Sequence, residues 1–199
     1  MNMICVAQYL RSPGAAVAQD GFSPEAAACF QPFLTPWCVL APLRWLAVTA
    51  TRRKLLKTNC LKPFTVHLLW KGKTQAYMHD DGRVFLSAGL LQTGSAMTVL
   101  SVYCHELSHI KLSQREDYPA IKALQREFNR QFSDHKLCQL LSPIEYYAML
   151  LSRSALTQLV SREQNARQRQ KLVLLQKDLE EKIQFLEQEL ENLANNYGI

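Results

Sequence analysis

The chain has 199 residues, a hydrophobic content of 48% and a net charge of +6. This length suits one domain with appendages and excludes two full-size domains, and the apolar content is enough for a packed core. The whole positive excess lies in residues 1–151, with a cluster at Arg52, Arg53 and Lys54. Such clusters usually just face the solvent, so this one does not by itself predict nucleic-acid binding.

The cysteines and the apolar segments bear on where the protein resides. Six cysteines are scattered without a Cys-x-x-Cys pair, which favours reduced thiols and a cytoplasmic setting. The first residues lack the charged region of a secretory signal. The most apolar window, residues 33–50, contains Pro36, Pro42 and Arg44, whereas a spanning helix needs about 20 mostly apolar residues. We therefore predict no transmembrane span, while peripheral membrane association stays open.

Residues 1–50 are expected to form an N-terminal helical or irregular segment. Ser23 followed by Pro24 predicts a helix start, because Ser caps a helix and Pro suits its first turn. A basic amphipathic helix is expected over residues 43–58. Its apolar points are Leu46, Leu55 and Leu56.

After Pro63 the composition changes to β-branched and aromatic residues, which is typical of strands. Glycine-containing turns at residues 71–73 and 80–82 separate three such runs, and this spacing predicts a three-stranded antiparallel meander. Ser95 then provides an N-cap for a helix over residues 96–112.

This last helix contains the motif His105-Glu106-Leu107-Ser108-His109. Histidines four residues apart lie on one helical face, so both imidazoles can bind one Zn²⁺ while Glu106 sits beside the open coordination position. In zinc peptidases the metal lowers the pKa of its bound water to about 7, and the carboxylate takes the proton as the water attacks a peptide carbonyl. An apolar stripe predicts a core face on the other side of the helix. It consists of Ala96, Val99, Leu100, Tyr103, Leu107 and Ile110.

Two histidines leave a zinc ion short of a protein ligand, so a third His, Asp or Glu must come from elsewhere. The downstream candidates are Glu145, Asp134 and His135. Glu145 stands near the start of a second apolar helix, which could present its carboxylate to the metal. Ser142, three residues earlier, would also form a capping box with Glu145. The spacing leaves both roles of Glu145 open.

Five short motifs follow one another between residues 64 and 152. They are Gln75-Ala76-Tyr77, Gly82-Arg83-Val84-Phe85-Leu86, Gly89-Leu90-Leu91, His105-Glu106-Leu107-Ser108-His109 and Glu145-x-x-Ala148. In combination they resemble the HtpX-type gluzincin metallopeptidases and their small soluble relatives, the minigluzincins. The resemblance implies a zincin-like α+β fold in which a small antiparallel sheet lies over the active-site helix, with Glu145 as the third zinc ligand.

The resemblance also has implications for the substrate. It implies that the strand at Val84, Phe85, Leu86 and Ser87 holds an extended peptide by pairing along a sheet edge. Where the family often continues Glu-x-x-Ala with Asp, this chain has Met149. No carboxylate support for the metal ligands is therefore implied at that position.

Apolar residues recur with heptad spacing near the C-terminus, which predicts a long helix or coiled coil through residues 172–197. A homodimer, a partner helix or folding back on the domain would each cover such a stripe, and the pattern leaves these open. We divide the chain into the segment 1–50, a zincin-like metallopeptidase domain 51–151 and a coiled-coil arm 152–199. The stripe consists of Leu172, Gln176, Leu179, Ile183, Leu186, Leu190, Leu193 and Tyr197.

The predicted function is a zinc-dependent endopeptidase that hydrolyses a peptide or protein substrate. In this prediction His105, His109 and Glu145 bind the metal, and Glu106 is the general base. The alternative is a zincin scaffold without catalysis that binds partners through its coiled coil and basic surface. The candidate residues for stabilising the oxyanion are Tyr146, Tyr147, His79 and Arg153.

Overall fold

The computed structural model describes residues 5–16 and 21–198, so positions 1–4 and 17–20 of the expected N-terminal segment lie outside the described residues. Within the described residues the fold is α+β, as predicted. The helices are α1 (Val6–Arg11), α2 (Pro24–Ala28), α3 (Ala41–Lys57), α4 (Ala88–Thr93), α5 (Ala96–Ser113), α6 (Tyr118–Phe132), α7 (Pro143–Arg162) and α8 (Ala166–Asn196). The strands are β1 (Thr65–Leu69), β2 (Ala76–His79) and β3 (Arg83–Ser87).

Local capping signals place several helices where the sequence predicts them. Ser23 Oγ accepts a hydrogen bond from Ala26 N at the start of α2, and Ser95 Oγ accepts one from Thr98 N at the start of α5. The expected basic helix is α3, but Leu46 is exposed there rather than buried. The buried side of α3 consists of Ala47, Val48, Thr51 and Leu55.

The sheet is mixed, with the strand order β1-β3-β2. β3 pairs antiparallel with β2 and parallel with β1, so the predicted antiparallel meander is wrong at its first connection. The loop 70–75 crosses the end of β3 instead of turning back, and Gly89 N donates a hydrogen bond to Lys71 O. A Cβ atom on Gly89 would lie 2.1 Å from Gly72 O, so glycine is what lets the two backbones pass.

The second connection is the predicted hairpin turn. Gly82 N donates to His79 O, and Gly82 has a φ of 84°, a left-handed conformation that favours glycine. The turn brings β2 and β3 together with side chains alternating between two faces. The inner face packs on the core through Val66, Leu68, Ala76, Met78, Val84 and Leu86.

Helix α5 is the central element of the fold. The sheet packs on one side of α5 and α7 packs on another. The predicted core stripe of α5 is buried from Val99 to Ile110, while His105 and His109 lie away from it. The predicted domain boundaries at 50/51 and 151/152 both fall inside helices, α3 and α7, so neither marks a break in the structure.

Helix α8 folds back along α7 and α1. Tyr146 of α7 donates a hydrogen bond to Glu187 Oε1 of α8 at 2.6 Å. Of the arrangements that the heptad pattern left open, the described chain adopts the folded-back one, in which part of the stripe is buried against the domain. Across residues 5–16 and 21–198, no helix combines the length and the hydropathy that crossing a membrane requires. The buried stripe residues are Leu172, Ile183, Leu186, Leu190 and Leu193.

Replacing a buried leucine of α8 should destabilise the protein, whereas replacing an exposed one should not. Leu186 is buried and Leu174, on the same helix, is exposed. Leu186→Ala is expected to lower the free energy of unfolding by about 2–5 kcal/mol. Leu174→Ala should change it by less than about 0.5 kcal/mol. Urea denaturation followed by circular dichroism measures both.

The same titration tests whether α8 is covered within one chain. The unfolding midpoint should not depend on protein concentration, because no partner subunit is needed to bury Leu186. A midpoint that rises with concentration, or equal small effects of the two substitutions, would contradict the folded-back arrangement.

Candidate metal centre

Two histidines and a glutamate converge from two packed helices. His105 and His109 are one turn apart on α5, and Glu145 lies in the first turn of α7. The Nε2 atoms of the two histidines are 3.1 Å apart. Glu145 Oε2 is 3.2 Å from His105 Nε2, and Glu145 Oε1 is 3.4 Å from His109 Nε2. All three side chains therefore face one point.

This donor set fits a metal ion. Tetrahedral ligation with bonds of about 2.0–2.1 Å separates neighbouring ligand atoms by about 3.3 Å. The three separations above are close to that value. Two imidazole nitrogens and a carboxylate oxygen are also ligands that first-row transition metals accept. His105, His109 and Glu145 could therefore hold a metal ion without large movement of either helix.

The electrostatics of the cluster keep Glu145 charged. Burial raises the pKa of Glu145, but hydrogen bonds to His105 and His109 outweigh it and hold that pKa well below its usual range. Burial lowers the pKa of His105, and the hydrogen bond with Glu145 more than offsets this, so its pKa is raised. A carboxylate that stays ionised is available as a ligand at neutral pH.

Glu106 lies beside the cluster on the side that opens into a cleft. It is buried, and burial raises its pKa while the two neighbouring histidines oppose that shift. A carboxylate with a raised pKa is a better proton acceptor than an ordinary one. The cleft runs between β2, the start of α6 and the first turn of α7. Its lining residues are Ala76, Tyr77, Met78, Asp80, Glu106, His109, Tyr118, Ile144 and Glu145.

Glu145 does not form the capping box that its spacing from Ser142 allowed. Ser142 is the N-cap residue of α7, but its side chain makes no capping hydrogen bond. Pro143 has no N–H group to satisfy, and Ile144 N donates to Gln125 Oε1 of α6 at 3.0 Å. The carboxylate of Glu145 is thus left to the histidines.

The other two candidates for a third ligand lie in the connection between α6 and α7. Asp134 Oδ1 accepts a hydrogen bond from Ser133 Oγ at the surface. His135 Nδ1 accepts one from Leu137 N. Neither side chain belongs to the group of ligand atoms around His105.

The strand expected to bind substrate is not at an edge of the sheet. β3, which contains Val84, Phe85, Leu86 and Ser87, is the central strand and pairs on both sides. It cannot accept an added strand, so this prediction is wrong. The error follows from the meander, in which the third strand would have been an edge. The edge strand beside the candidate metal centre is β2.

The four candidates for stabilising an oxyanion lie elsewhere. Tyr146 and Tyr147 are buried in the core, and the ring of His79 meets that of Phe85 edge-on on the outer face of the sheet. Arg153 lines a different cavity on α7. The cleft is lined by Tyr77 of β2 and by Tyr118. No sequence signal marked Tyr118, because Tyr before Pro at a helix start has no particular chemical meaning.

Comparison of the chain with protein-family models, with curated proteins and with solved structures finds no match. The site is therefore defined by its geometry. It consists of two histidines on a buried helix, a glutamate from a second helix, and a further glutamate beside a sheet edge.

Removing the Glu145 carboxylate should weaken metal binding strongly. Substitutions in groups that only support a ligand cost about 10–100-fold in metal affinity. Loss of a ligand itself should exceed that, so we expect Glu145→Gln to lower the affinity for Zn²⁺ by more than about 100-fold. Competition with a chromogenic chelator measures this affinity. Asp134→Asn is the control and should leave the Zn²⁺ affinity unchanged. Equal affinities for the two variants would show that Glu145 is not a metal ligand.

Proposed function

We propose that this protein is a zinc-dependent metalloendopeptidase of the zincin type. The observation that carries the proposal is that the cluster of His105, His109 and Glu145 opens, with Glu106 beside it, onto an edge strand. Zinc is favoured over harder divalent ions because two of the three donors are imidazole nitrogens.

Each residue of the site has a role in this reaction. His105, His109 and Glu145 would bind the zinc ion. A bound zinc ion would polarise the scissile carbonyl and lower the pKa of a water molecule to about 7. Glu106 accepts a proton from the attacking water and then donates it to the leaving amine nitrogen. The raised pKa of Glu106 suits both steps, because the same carboxyl must gain and lose a proton near neutral pH.

The free edge of β2 supports binding of an extended peptide. Ser87 N donates to Gln75 O, and Gln75 N donates to Ser87 Oγ, so Gln75, just before β2, directs its main-chain groups towards β3. Hydrogen-bonded pairs alternate along an antiparallel ladder, so Tyr77 also directs its main-chain groups towards β3. Ala76 and Met78 then direct theirs to the open edge, where an added strand would bond to them.

A non-catalytic scaffold is less well supported. Metal binding alone needs only the three ligands, and it gives no reason for a buried carboxylate at Glu106. Partner binding through the C-terminal stripe would require α8 to leave the core that now covers Leu186 and Leu190.

Substitution of the general base should separate catalysis from metal binding. Glu106→Gln is expected to lower the rate of peptide cleavage by about 100-fold to 10,000-fold, the usual contribution of general acid–base catalysis. Its zinc content should stay at that of the wild type, because Glu106 is not a ligand. Quenched fluorescent peptides and elemental analysis measure the two quantities.

The matched control for that experiment is Glu116→Gln, an exposed glutamate beyond the end of α5. It should cleave at the wild-type rate. If the zinc-loaded wild type cleaves no peptide, the non-catalytic scaffold is favoured. If cleavage persists in Glu106→Gln, Glu106 is not the general base.

The outer face of the sheet suggests what kind of side chain the substrate presents. The rings of His67 and Phe85 stack with centroids 5.0 Å apart, and those of Tyr77 and Phe85 stack at the same distance. This row of rings ends at Tyr77, on the edge strand. In an added antiparallel strand, the residue opposite Tyr77 would place its side chain on the same face, with the two Cα atoms about 4.5 Å apart. A flat side chain there would extend the row.

We therefore expect cleaved peptides to be enriched in aromatic residues at one position. Aromatic pairs contribute about 0.5–1.5 kcal/mol beyond burial, which corresponds to an enrichment of about twofold to tenfold. Tyr77→Val should abolish the enrichment, whereas His67→Val, at the other end of the row, should retain it. Cleavage profiling of a peptide library compares the three proteins. Enrichment that persists in Tyr77→Val would contradict this role of Tyr77.

A further inference from the structure

Residues 26–79 form a stretch without acidic side chains. It contains eight Lys and Arg residues and no Asp or Glu, so its positive charge exceeds the net charge of +6 of the whole chain. Two of the cations are used within the fold, since Arg44 donates to Leu91 O and Val39 O, and Arg52 donates to Phe64 O. The other six are exposed. They are Arg53, Lys54, Lys57, Lys62, Lys71 and Lys73.

The same stretch exposes large apolar side chains. Just before α3, Trp37 is 47% exposed, Val39 62% and Leu40 61%. On α3 itself Leu46 is 53% exposed, and after β1 Trp70 is 86% exposed. Single exposed apolar residues need no explanation, but a group of them together marks a binding surface.

Helix α3 presents two of its cations and its exposed leucine in one direction. The buried side of α3 is centred near Val48 and Thr51. At about 100° per residue, Leu46, Arg53 and Lys57 lie on the opposite side. The outward face of α3 therefore has an apolar residue at its N-terminal end and two cations further along.

Helix α4 contacts the other side of α3. Arg44, whose Nη1 donates to Leu91 O at 2.7 Å, precedes Val48 by one turn and so lies on the buried side of α3. The loop with Trp70 contacts α4 through Gly89 N and Lys71 O and is not counted in the outward face. We call the outward face of α3, together with the exposed residues just before this helix, the basic apolar surface. Its residues are Trp37, Val39, Leu40, Leu46, Arg53 and Lys57.

We propose that the basic apolar surface docks this protein peripherally on an anionic lipid membrane. Tryptophan side chains favour the interface between headgroups and acyl chains, and leucine and valine gain free energy by entering it. The surrounding lysines and arginines meet acidic headgroups, and no acidic side chain in the stretch opposes them. A nucleic acid would match the cations but would leave Val39, Leu40 and Leu46 in water. The proposal is independent of the peptidase function.

Co-sedimentation of the full chain with vesicles tests the proposal. The protein is expected to bind vesicles of phosphatidylcholine with 30% phosphatidylserine, and to bind pure phosphatidylcholine much more weakly. Higher salt should weaken binding. Arg53→Glu with Lys57→Glu should lower the affinity for the anionic vesicles by at least about 25-fold, at about fivefold per cation removed. Leu40→Ser with Leu46→Ser should lower it by about tenfold or more.

Helix α8 offers matched controls for both changes. Arg167→Glu with Lys171→Glu repeats the charge reversal at the same spacing on an exposed face, and Leu174→Ser removes a leucine that is 62% exposed. Both should keep wild-type vesicle binding. Circular dichroism verifies that each variant is folded.

Three results would overturn the proposal. The first is equal binding to vesicles with and without phosphatidylserine. The second is an equal loss of binding in the α8 controls, which would mean that net charge alone is responsible. The third is tight binding to a single-stranded oligonucleotide, abolished by Arg53→Glu with Lys57→Glu, together with no binding to vesicles.

Discussion

The packing of α7 against α5 is the contact on which the rest of the candidate site depends. Ser108 Oγ and Ser152 Oγ are 2.9 Å apart in this buried interface. Each hydroxyl also lies 2.9 Å from the carbonyl four residues earlier, so one donates to its partner while the other donates within its own helix. Ser108 stands between the two histidines on α5, and Glu145 precedes Ser152 by two turns of α7. A slip of one helix along the other would break the serine pair and would also separate Glu145 from His105.

This crossing places lone-pair donors opposite one another in a partly buried position. Such an arrangement is unfavourable unless a proton or a cation lies between the donors. The pKa of His105 is raised against the effect of burial, because Glu145 favours positive charge there. A bound metal ion would supply this positive charge to all three side chains at once. The apolar core on either side of the crossing offsets the unfavourable free energy of holding these groups together.

The sequence predicts those features of the fold that depend on residues close to one another in the chain. The cap at Ser95, the turn at Gly82 and the separation of α5 into a core face and a chemical face all follow from local spacing. The strand order depends instead on the close approach of Gly72 and Gly89, which are far apart in the chain and carry no joint signal. The edge position of β2 and the place of Tyr118 follow from that order and from tertiary packing. A heptad stripe likewise requires a covering surface without specifying which one, and here α7 and α1 provide it.

The contacts at the two ends of the cleft differ in strength. At the tip of the hairpin, Lys122 Nζ lies 2.6 Å from Asp80 Oδ2, with the side chains 44% and 68% exposed, respectively. Exposed ion pairs of this kind contribute only about 0–1 kcal/mol. The hydroxyl of Tyr118 adds a long contact of 3.5 Å to the other Asp80 oxygen. Separating the hairpin from α6 therefore costs little, whereas moving α5 against α7 would disrupt the core. In the proposed binding mode, a peptide added to β2 would therefore widen the cleft at the hairpin while His105, His109 and Glu145 stay in place.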